Sequence, residues 1–400
     1  MGRIGEETVR AALQNDKGSE AKLMSWRVEL LSETDGATSS IFNVTVKFEV
    51  AGTEEETCYV VKLSPTREFK DDDFHHLIFT KECRFYTEVM PMVTSILKQL
   101  GEQPIRFPKC YYHSLDEGKE ILFLENLRVK GFQMRDKSLG LDMAHSCLVL
   151  RELGKLHAAS YIFQSRSDIE LTDKFDFFQT EWTHKFNLGC DWGTFMNSLL
   201  EKRLKAFEES EGYERIVKWL KRVLPEVWPL YEKQIERKSP FASIIHGDCW
   251  INNMLFRYDA SGSPIEVVFL DLQGCRVASV ALDLQHFLNL NVKGEIRRPN
   301  LDQLLASYYD SLRSTVTAGK TAVPFALDQL KEEYIDKGFY GALYGLLWLP
   351  VMCGPEEVDF TLAEYDDNHG IVDRSESDKP HLPTSLISVM EEWTELGLIS

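Results

Sequence analysis

Alternation of apolar and polar positions dominates the first part of the chain. Segments 40–50 and 57–63 are rich in β-branched and aromatic residues, and the polar stretch AGTEEE between them predicts an antiparallel hairpin. Apolar positions at helical spacing predict a helix over 76–97, with a break or kink at Pro91. A further strand is expected at 120–124. This part of the chain is therefore predicted to be a small β-rich unit.

Helical periodicity takes over beyond about residue 142. Long patterns of apolar positions at helical spacing cover 143–163, 192–209 and 213–237. Short apolar strands interrupt them at 243–245, 254–258 and 265–270. Together these patterns predict an α+β fold in two lobes, an antiparallel-β lobe at residues 1–125 and a larger, mainly helical lobe at 126–400.

Composition and charge limit the binding partners and the cellular location that are expected for the chain. The net charge of -18 disfavours a nucleic-acid partner, because a strongly acidic surface repels the phosphate backbone. The uncharged run 338–354 is too short and too rich in glycine for a membrane span, so it predicts a buried helix. The eight cysteines are scattered singly, which is typical of free thiols. We expect a cytoplasmic protein without a membrane anchor, and no obligate protein partner is evident.

Polar residues interrupt the short strands of the second part in a defined order. His246, Asp248 and Asn253 form the pattern H-x-D-x-x-x-x-N, and Asp271 ends the strand EVVFLD 18 residues after Asn253. Phosphoryl transfer needs a carboxylate to accept the hydroxyl proton, and oxygen ligands that hold Mg²⁺ against nucleotide phosphates. We predict Asp248 as the base and Asn253 and Asp271 as metal ligands. The simpler interpretation is that these residues only cap and close a turn.

Two charged residues of the first part fit the same chemistry. Lys62 occupies a normally apolar position of the strand YVVKL, and Glu82 lies 20 residues later in the predicted helix. A strand lysine steadied by a helix glutamate is the arrangement that contacts nucleotide phosphates in kinases. Each residue taken alone is more often an ordinary surface charge.

Backbone groups for nucleotide binding are predicted at two places. The stretch TDGATSSIF contains Gly36, Ser39 and Ser40 and brings small residues to the start of the hairpin, although a plain turn explains it nearly as well. The segment FLENL follows the last predicted strand, and its residues Glu125 and Leu127 are expected to meet adenine.

These motifs together resemble the ecdysteroid-kinase-like (CHK kinase-like) proteins of arthropods, which are relatives of choline kinases and aminoglycoside phosphotransferases. The resemblance covers nearly the whole chain and rests on VVKL, FTKECRFYTEVMP, FLENL, LGKLHAASY, HGDCWINNMLF and FLDLQG followed by VALDLQHFL. It implies a two-lobed protein-kinase-like fold, ATP and Mg²⁺ as cofactors, nucleotide binding by the lobe 1–125 and catalysis and substrate binding by the lobe 126–400. It also implies that Asp283 is a structural carboxylate that steadies the loop carrying Asp248.

The resemblance sets the expected activity and its alternatives. H-G-D in place of H-R-D, and D-L-Q in place of D-F-G, argue against a protein kinase. The expected reaction is O-phosphorylation of a small hydroxylated molecule, with an ecdysteroid or another lipophilic secondary metabolite as the best guess. A choline, ethanolamine or aminoglycoside-like kinase, with the acidic stretch 355–368 supplying carboxylates, is the alternative enzyme. A non-catalytic protein that binds a nucleotide or another ligand is the alternative from a different class. Gln273 is left open as a metal ligand, because an amide binds Mg²⁺ more weakly than a carboxylate.

Aromatic residues are concentrated in the segment 175–192, which has no clear helical period. This much aromatic surface is not expected to face solvent. Packing into the helical core is one interpretation. The other is that part of the segment, together with 340–348, walls an apolar pocket beside Asp248 that accepts a flat, lipophilic alcohol.

Overall fold

A five-stranded antiparallel sheet forms most of the first part of the chain. The computed structural model describes residues 3–32, 39–64, 73–187, 190–237, 240–353, 365–366, 370–371 and 382–400. In sheet order the strands are β1 (Lys22–Ser32), β2 (Ser40–Val50), β3 (Thr53–Leu63), β5 (Ile121–Glu125) and β4 (Cys110–Ser114), preceded by helix α1 (Glu6–Lys17).

The predicted hairpin is confirmed as β2 and β3, which pair from Ser40–Leu63 to Val50–Thr53. Only Ala51 and Gly52 form the turn, and both have positive φ, which is the geometry that two-residue hairpin turns need. The stretch AGTEEE was predicted to separate the strands, but its threonine and glutamates belong to β3. Charged residues are tolerated there because this end of the strand is exposed.

The predicted helix over 76–97 is confirmed with a distortion near the expected place. It consists of α2 (Asp73–Arg84), a π-helical turn at Phe85–Val89 and α3 (Met90–Gln99). Pro91 lies in the first turn of α3, where its missing N–H is tolerated best. The irregular turn therefore precedes the proline.

The second part of the chain is mainly helical. Its helices are α4 (Met143–Arg166), α5 (Leu171–Lys174), α6 (Trp192–Glu208), α7 (Glu214–Val223), α8 (Val227–Ile235), α9 (Val280–Asn291), α10 (Gly294–Ala318), α11 (Leu327–Asp336), α12 (Gly338–Cys353) and α13 (Thr384–Glu395). Among the described residues, three small antiparallel pairs of strands accompany them: β6 (Ala242–Ile245) with β9 (Arg276–Ser279), β7 (Met254–Tyr258) with β8 (Pro264–Phe269), and β10 (Tyr365–Asp366) with β11 (Gly370–Ile371). The α+β fold with a small antiparallel-β lobe and a larger helical lobe is confirmed.

Helices α9 and α12 pack closely against each other in the helical core. Every residue of α9 is buried, and α12 packs against it so closely that a Cβ at Gly341 would lie 2.0 Å from Gln285 Oε1. The run 338–354 is thus a packed helix, as predicted, over its described residues. No helix in the described part of the chain is long and apolar enough to cross a membrane.

The aromatic segment 175–192 packs mostly into the core. The side chains of Phe175, Phe177, Phe178, Phe186 and Trp192 are all buried. Trp182 is only half-buried, and it lies in a short 3₁₀ turn, Trp182–His184. The packing interpretation therefore holds for most of the segment. A role of Trp182 in a pocket beside Asp248 stays a prediction.

Candidate active site

A tight backbone contact shapes the loop between β6 and β7. Gly247 has φ +78°, and a Cβ at this position would lie 2.1 Å from the carbonyl oxygen of Gly274. Only glycine fits both the left-handed conformation and this approach. The contact places Asp248 next to the turn Leu272–Gly274, which directly follows Asp271.

Asp283, in the first turn of α9, accepts hydrogen bonds from the backbone of the same loop. Its two carboxylate oxygens each accept one backbone N–H at 2.8 Å, from His246 and from Gly247. His157 Nε2 lies 3.2 Å from Asp283 Oδ2, and His157 Nδ1 lies 2.8 Å from the Tyr308 hydroxyl. Burial acts to raise the pKa of Asp283, but the His157 contact and the backbone donors hold it below the ordinary value. Asp283 is therefore an ionised anchor of the loop, which fits the role implied for it.

We expect Asp283→Asn to lower the free energy of unfolding by about 1–3 kcal/mol, because an amide cannot accept from both N–H groups. The lowered pKa means that the carboxylate stabilises the fold at neutral pH and loses this effect when the pH falls below about 4. Chemical denaturation at pH 7 and at low pH measures both effects. Asp259→Asn in the exposed β7–β8 turn is the matched control. Equal stabilities of Asp283→Asn and the wild type at pH 7 would contradict this role.

Asp248 and Asn253 contact each other inside the loop. Asn253 Nδ2 donates to Asp248 Oδ2 at 2.8 Å and to the Asp248 carbonyl at 3.0 Å. Burial, and then the nearby charge of Asp271, raise the pKa of Asp248 to about 7, against the bond from Asn253. A carboxylate with such a pKa is suited to accept a proton near neutral pH. Because the Asn253 nitrogen is occupied, its carbonyl oxygen is the atom left for a cation.

Lys62 links the two lobes at the site. Its Nζ donates to Glu82 Oε2 at 2.6 Å and to Asp271 Oδ1 at 2.8 Å. Burial acts to lower the pKa of Lys62, but the charges of Asp271 and Glu82 hold it above the ordinary value, so the amine is a cation. Asp271 has a left-handed backbone, with φ 57°, where the chain leaves β8. Four charged residues that were predicted from distant parts of the sequence thus meet at the junction of the two lobes. They are Lys62, Glu82, Asp248 and Asp271.

The predicted hinge residues lie at the end of β5 and just after it. The Glu125 carboxylate accepts from Arg106 Nη2 at 2.9 Å and from Lys109 N at 3.2 Å. Glu125 N donates to the Lys109 carbonyl, and the Leu127 carbonyl accepts from Lys130 N. An adenine contact would therefore fall on the carbonyl of Glu125 and the N–H of Leu127.

The remaining predicted nucleotide residues lie at the start of β2. Ser40 is its first residue and pairs with Leu63, next to Lys62 in β3. Ser39 precedes it, and its hydroxyl is buried without a hydrogen-bond partner among the described residues. Gly36 lies outside the described residues. Gln273 is in the turn after Asp271 and has interactions of its own.

Comparison with known protein families matches residues 33–320 to the ecdysteroid kinase-like family. The chain belongs to this family. The resemblance seen in the motifs is thereby confirmed, and with it the two-lobed protein-kinase-like fold. A search of curated proteins gives no match to this ecdysteroid kinase-like chain.

Solved structures resemble the ecdysteroid kinase-like chain only remotely. A microcompartment-associated aminopropanol kinase is 12% identical, with 99% of each chain covered and a TM-score of 0.42. A choline/ethanolamine kinase family protein from Mesorhizobium loti is 13% identical, with 86% of this chain and 83% of that chain covered and a TM-score of 0.39. The GDP complex of wild-type aminoglycoside 2'-phosphotransferase-IIIa is 10% identical, with 98% and 99% covered and a TM-score of 0.41.

The structure adds a neighbour of Asp248 that the motifs of this ecdysteroid kinase-like chain did not reveal. His286 Nε2, on α9, lies 3.8 Å from Asp248 Oδ1, and the imidazole ring lies 4.9 Å from the ring of Tyr344. Burial lowers the pKa of His286 to about 3, so the ring is neutral. It belongs to the motif VALDLQHFL and lies one helical turn after Asp283, and this is the sequence signal that could have pointed to it.

Proposed function

We propose that the chain is a Mg²⁺-ATP-dependent phosphotransferase that phosphorylates a hydroxyl group of a small lipophilic molecule. The observation that carries this proposal is the buried Lys62 cation, which contacts both Glu82 and Asp271 beside the pair Asp248–Asn253. A cation at this place is suited to contact nucleotide phosphates. Family membership supports the same class of reaction.

Asp248 acts as the base in this proposal. With a pKa raised to about 7 by burial, its carboxylate accepts the proton of the acceptor hydroxyl and orients the oxygen for in-line attack. The bond from Asn253 fixes the orientation of the carboxylate, and Asp283 fixes the backbone beneath it. Mutual positioning of this kind accounts for much of the rate that kinases achieve.

The residues present fit a Mg²⁺ ion held mainly by oxygen ligands. Asp271 supplies a carboxylate and Asn253 an amide oxygen, and Mg²⁺ is usually bound by one or two such groups together with substrate phosphates. Within the described ranges no group of three or more His, Cys, Asp or Glu side chains could hold a metal ion. When bound, the ion neutralises phosphate charge.

Nucleotide binding is assigned to the first lobe. Lys62, steadied by Glu82, contacts the phosphates, and the start of β2 at Ser39 and Ser40 lies beside Lys62 in the sheet. The carbonyl of Glu125 and the N–H of Leu127 meet adenine.

A lipophilic acceptor is favoured by the aromatic surroundings of Asp248. Next to the base lies His286, which contacts the ring of Tyr344, and Tyr344 stacks on Tyr340 at 4.2 Å. Aromatic side chains this close to the base suit a flat, apolar molecule with one reacting hydroxyl. The acidic stretch 355–368, considered for a cationic acceptor, lies outside the described residues apart from the backbone of 365–366.

A turnover assay with a panel of acceptors tests the function. We expect Mg²⁺-dependent ATP consumption with one or more steroid-like alcohols, and little with choline or an aminoglycoside. Phosphorylated product is identified by mass spectrometry, with Asp248→Asn as the inactive control. Efficient turnover of choline alone would contradict the lipophilic acceptor but would still support a kinase. Nucleotide binding without transfer to any acceptor of the panel would favour a non-catalytic binding protein.

A further inference from the structure

Arg276, the first residue of β9, is buried, and only one of its three guanidinium nitrogens has a hydrogen-bond partner among the described residues. Its Nη1 donates to Glu181 Oε1 at 3.0 Å and to the Tyr231 hydroxyl at 3.4 Å, and the residue is 2% exposed. Nε and Nη2 have no hydrogen-bond partner anywhere in the described chain. Unpaired buried donors are costly, and a charged group costs more than a neutral one. Such a group in a native fold calls for a ligand.

Aromatic residues from three elements surround the guanidinium. Arg276 lies over the ring of Trp182 at 5.6 Å, and the hydroxyls of Tyr340 and Tyr344 are close enough to interact with its charge. The ring of Tyr231 stacks on Tyr340 at 6.2 Å, and Tyr340 stacks on Tyr344 at 4.2 Å. We call Arg276, Tyr231, Tyr340, Tyr344 and Trp182 the Arg276 cluster.

The Arg276 cluster adjoins the base. Tyr344 contacts His286, whose Nε2 lies 3.8 Å from Asp248 Oδ1. The charge of Arg276 also acts on the pKa of Asp248, although less than burial, Asp271, Asn253 and Lys62 do. His286 Nδ1 and Trp182 Nε1 are further buried polar atoms here without a partner in the described residues. His286 and Tyr344 therefore connect the unpaired groups of the cluster to Asp248.

Two buried basic side chains, Lys81 and Arg276, lie at the cluster. Lys81 is fully buried, and its Nζ donates to the Cys275 carbonyl at 3.3 Å, next to Arg276 in the chain. Both side chains interact with the carboxylate of Glu181, and burial lowers the pKa of Lys81. The Trp182 ring, a face that could hold an ammonium group, is already covered by the guanidinium. This environment attracts an electron-rich oxygen and repels a second cation.

We propose that the Arg276 cluster is an acceptor subsite, in which Nε and Nη2 of Arg276 bind a ketone or carboxylate oxygen on the apolar body of the substrate while its hydroxyl faces Asp248. This inference rests on the proposed phosphotransferase function and narrows its substrate class. The acceptor is an alcohol with a second, hydrogen-bond-accepting oxygen, and quaternary ammonium alcohols such as choline are excluded. A site built to bind a substrate oxygen rejects analogues that lack it.

The experiment uses matched alcohols and matched variants. Pairs of steroid alcohols with one skeleton are compared, with and without a ring ketone and with and without a side-chain carboxylate. We expect Arg276→Met to lower kcat/KM for the oxygen-bearing partner by about 10- to 100-fold and to change that of its simpler partner much less, at constant KM for ATP. Tyr344→Phe, which removes one hydroxyl, should act in the same direction. The ketone and carboxylate pairs show which oxygen is preferred.

Controls separate specificity from stability. Arg203→Lys alters another buried arginine, which donates to the Leu346 carbonyl of α12 and lies outside the cluster, and it should leave the discrimination unchanged. If Arg276→Met does not fold, Tyr344→Phe and Arg276→Lys carry the test. Equal losses for both members of each pair, or no loss for either, would overturn the subsite. If the wild type phosphorylates no alcohol, the proposed function fails, and calorimetric binding of the keto alcohol to wild type and Tyr344→Phe then decides on the subsite alone.

Discussion

Replacing Asp248 by Asn is expected to lower turnover by about 10²–10⁴-fold, which is the usual loss when a general base is removed. The amide retains the shape of the side chain and accepts from Asn253, but it cannot take the proton of the acceptor hydroxyl. Nucleotide binding should remain nearly intact, because the contacts of Lys62 with Glu82 and Asp271 do not involve Asp248. Steady-state kinetics with the accepted alcohol, together with calorimetric titration of Mg²⁺-ATP, measures both quantities.

Asp259→Asn is the matched control for this substitution. Asp259 lies in the exposed turn between β7 and β8, where its Oδ1 accepts from Ser261 N at 2.9 Å, and an Asn can make the same contact. It should turn over like the wild type. Wild-type rates in Asp248→Asn would remove this residue from the mechanism, whereas a parallel loss of ATP affinity would indicate damage to the fold.

Local sequence predicted the arrangement of the loop 246–253, because the residues that determine it are close together in the chain. Apolar strands on both sides of HGDCWINN give the loop its ends, and the five-residue spacing is enough to bring Asn253 onto Asp248. The hairpin of β2 and β3 and the helix over 76–97 were likewise predicted from the spacing of apolar residues along the chain. The pairing of Lys62 with Glu82 came from matching a kinase pattern, and the geometry places the two charges 2.6 Å apart.

The elements that the sequence missed have weak or long-range determinants. Strands β1 and β4 form the two edges of the sheet, where a strand pairs on one side only and exposed positions need not be polar. Met24, for example, is 50% exposed on β1. A period-based interpretation finds such strands least easily.

Arg276 illustrates the same limit at the site. In sequence it is one charged residue of a short, otherwise apolar strand, and nothing nearby identifies its partners. Its contacts come from Glu181 and Tyr231, which are 95 and 45 residues away. The reason to single it out is that part of the guanidinium has no partner in the described structure, and this appears only once the packing is known.

Replacing Asp271 by Ala is expected to remove the Mg²⁺-dependent part of nucleotide binding. Without this carboxylate only the neutral amide oxygen of Asn253 remains as a predicted ligand, and an amide binds Mg²⁺ more weakly. Lys62 keeps its bond to Glu82 at 2.6 Å, so the direct contact of the amine with phosphate should survive. The loss should therefore appear as a change in the response to Mg²⁺ and leave metal-free ATP binding largely intact.

Calorimetric titration with ATP, in the presence and absence of Mg²⁺, measures this difference. In the wild type we expect Mg²⁺ to strengthen ATP binding, and in Asp271→Ala we expect affinity for Mg²⁺-ATP to fall by about 100-fold, or about 2.7 kcal/mol. Asp302→Ala is the control, since Asp302 is an exposed carboxylate paired with Lys331 at 2.6 Å on the surface, where such a pair contributes little. It should bind Mg²⁺-ATP like the wild type. A folded Asp271→Ala variant with unchanged Mg²⁺-ATP affinity would show that the metal is bound elsewhere. The prediction of Asn253 as a metal ligand would then also lose its support.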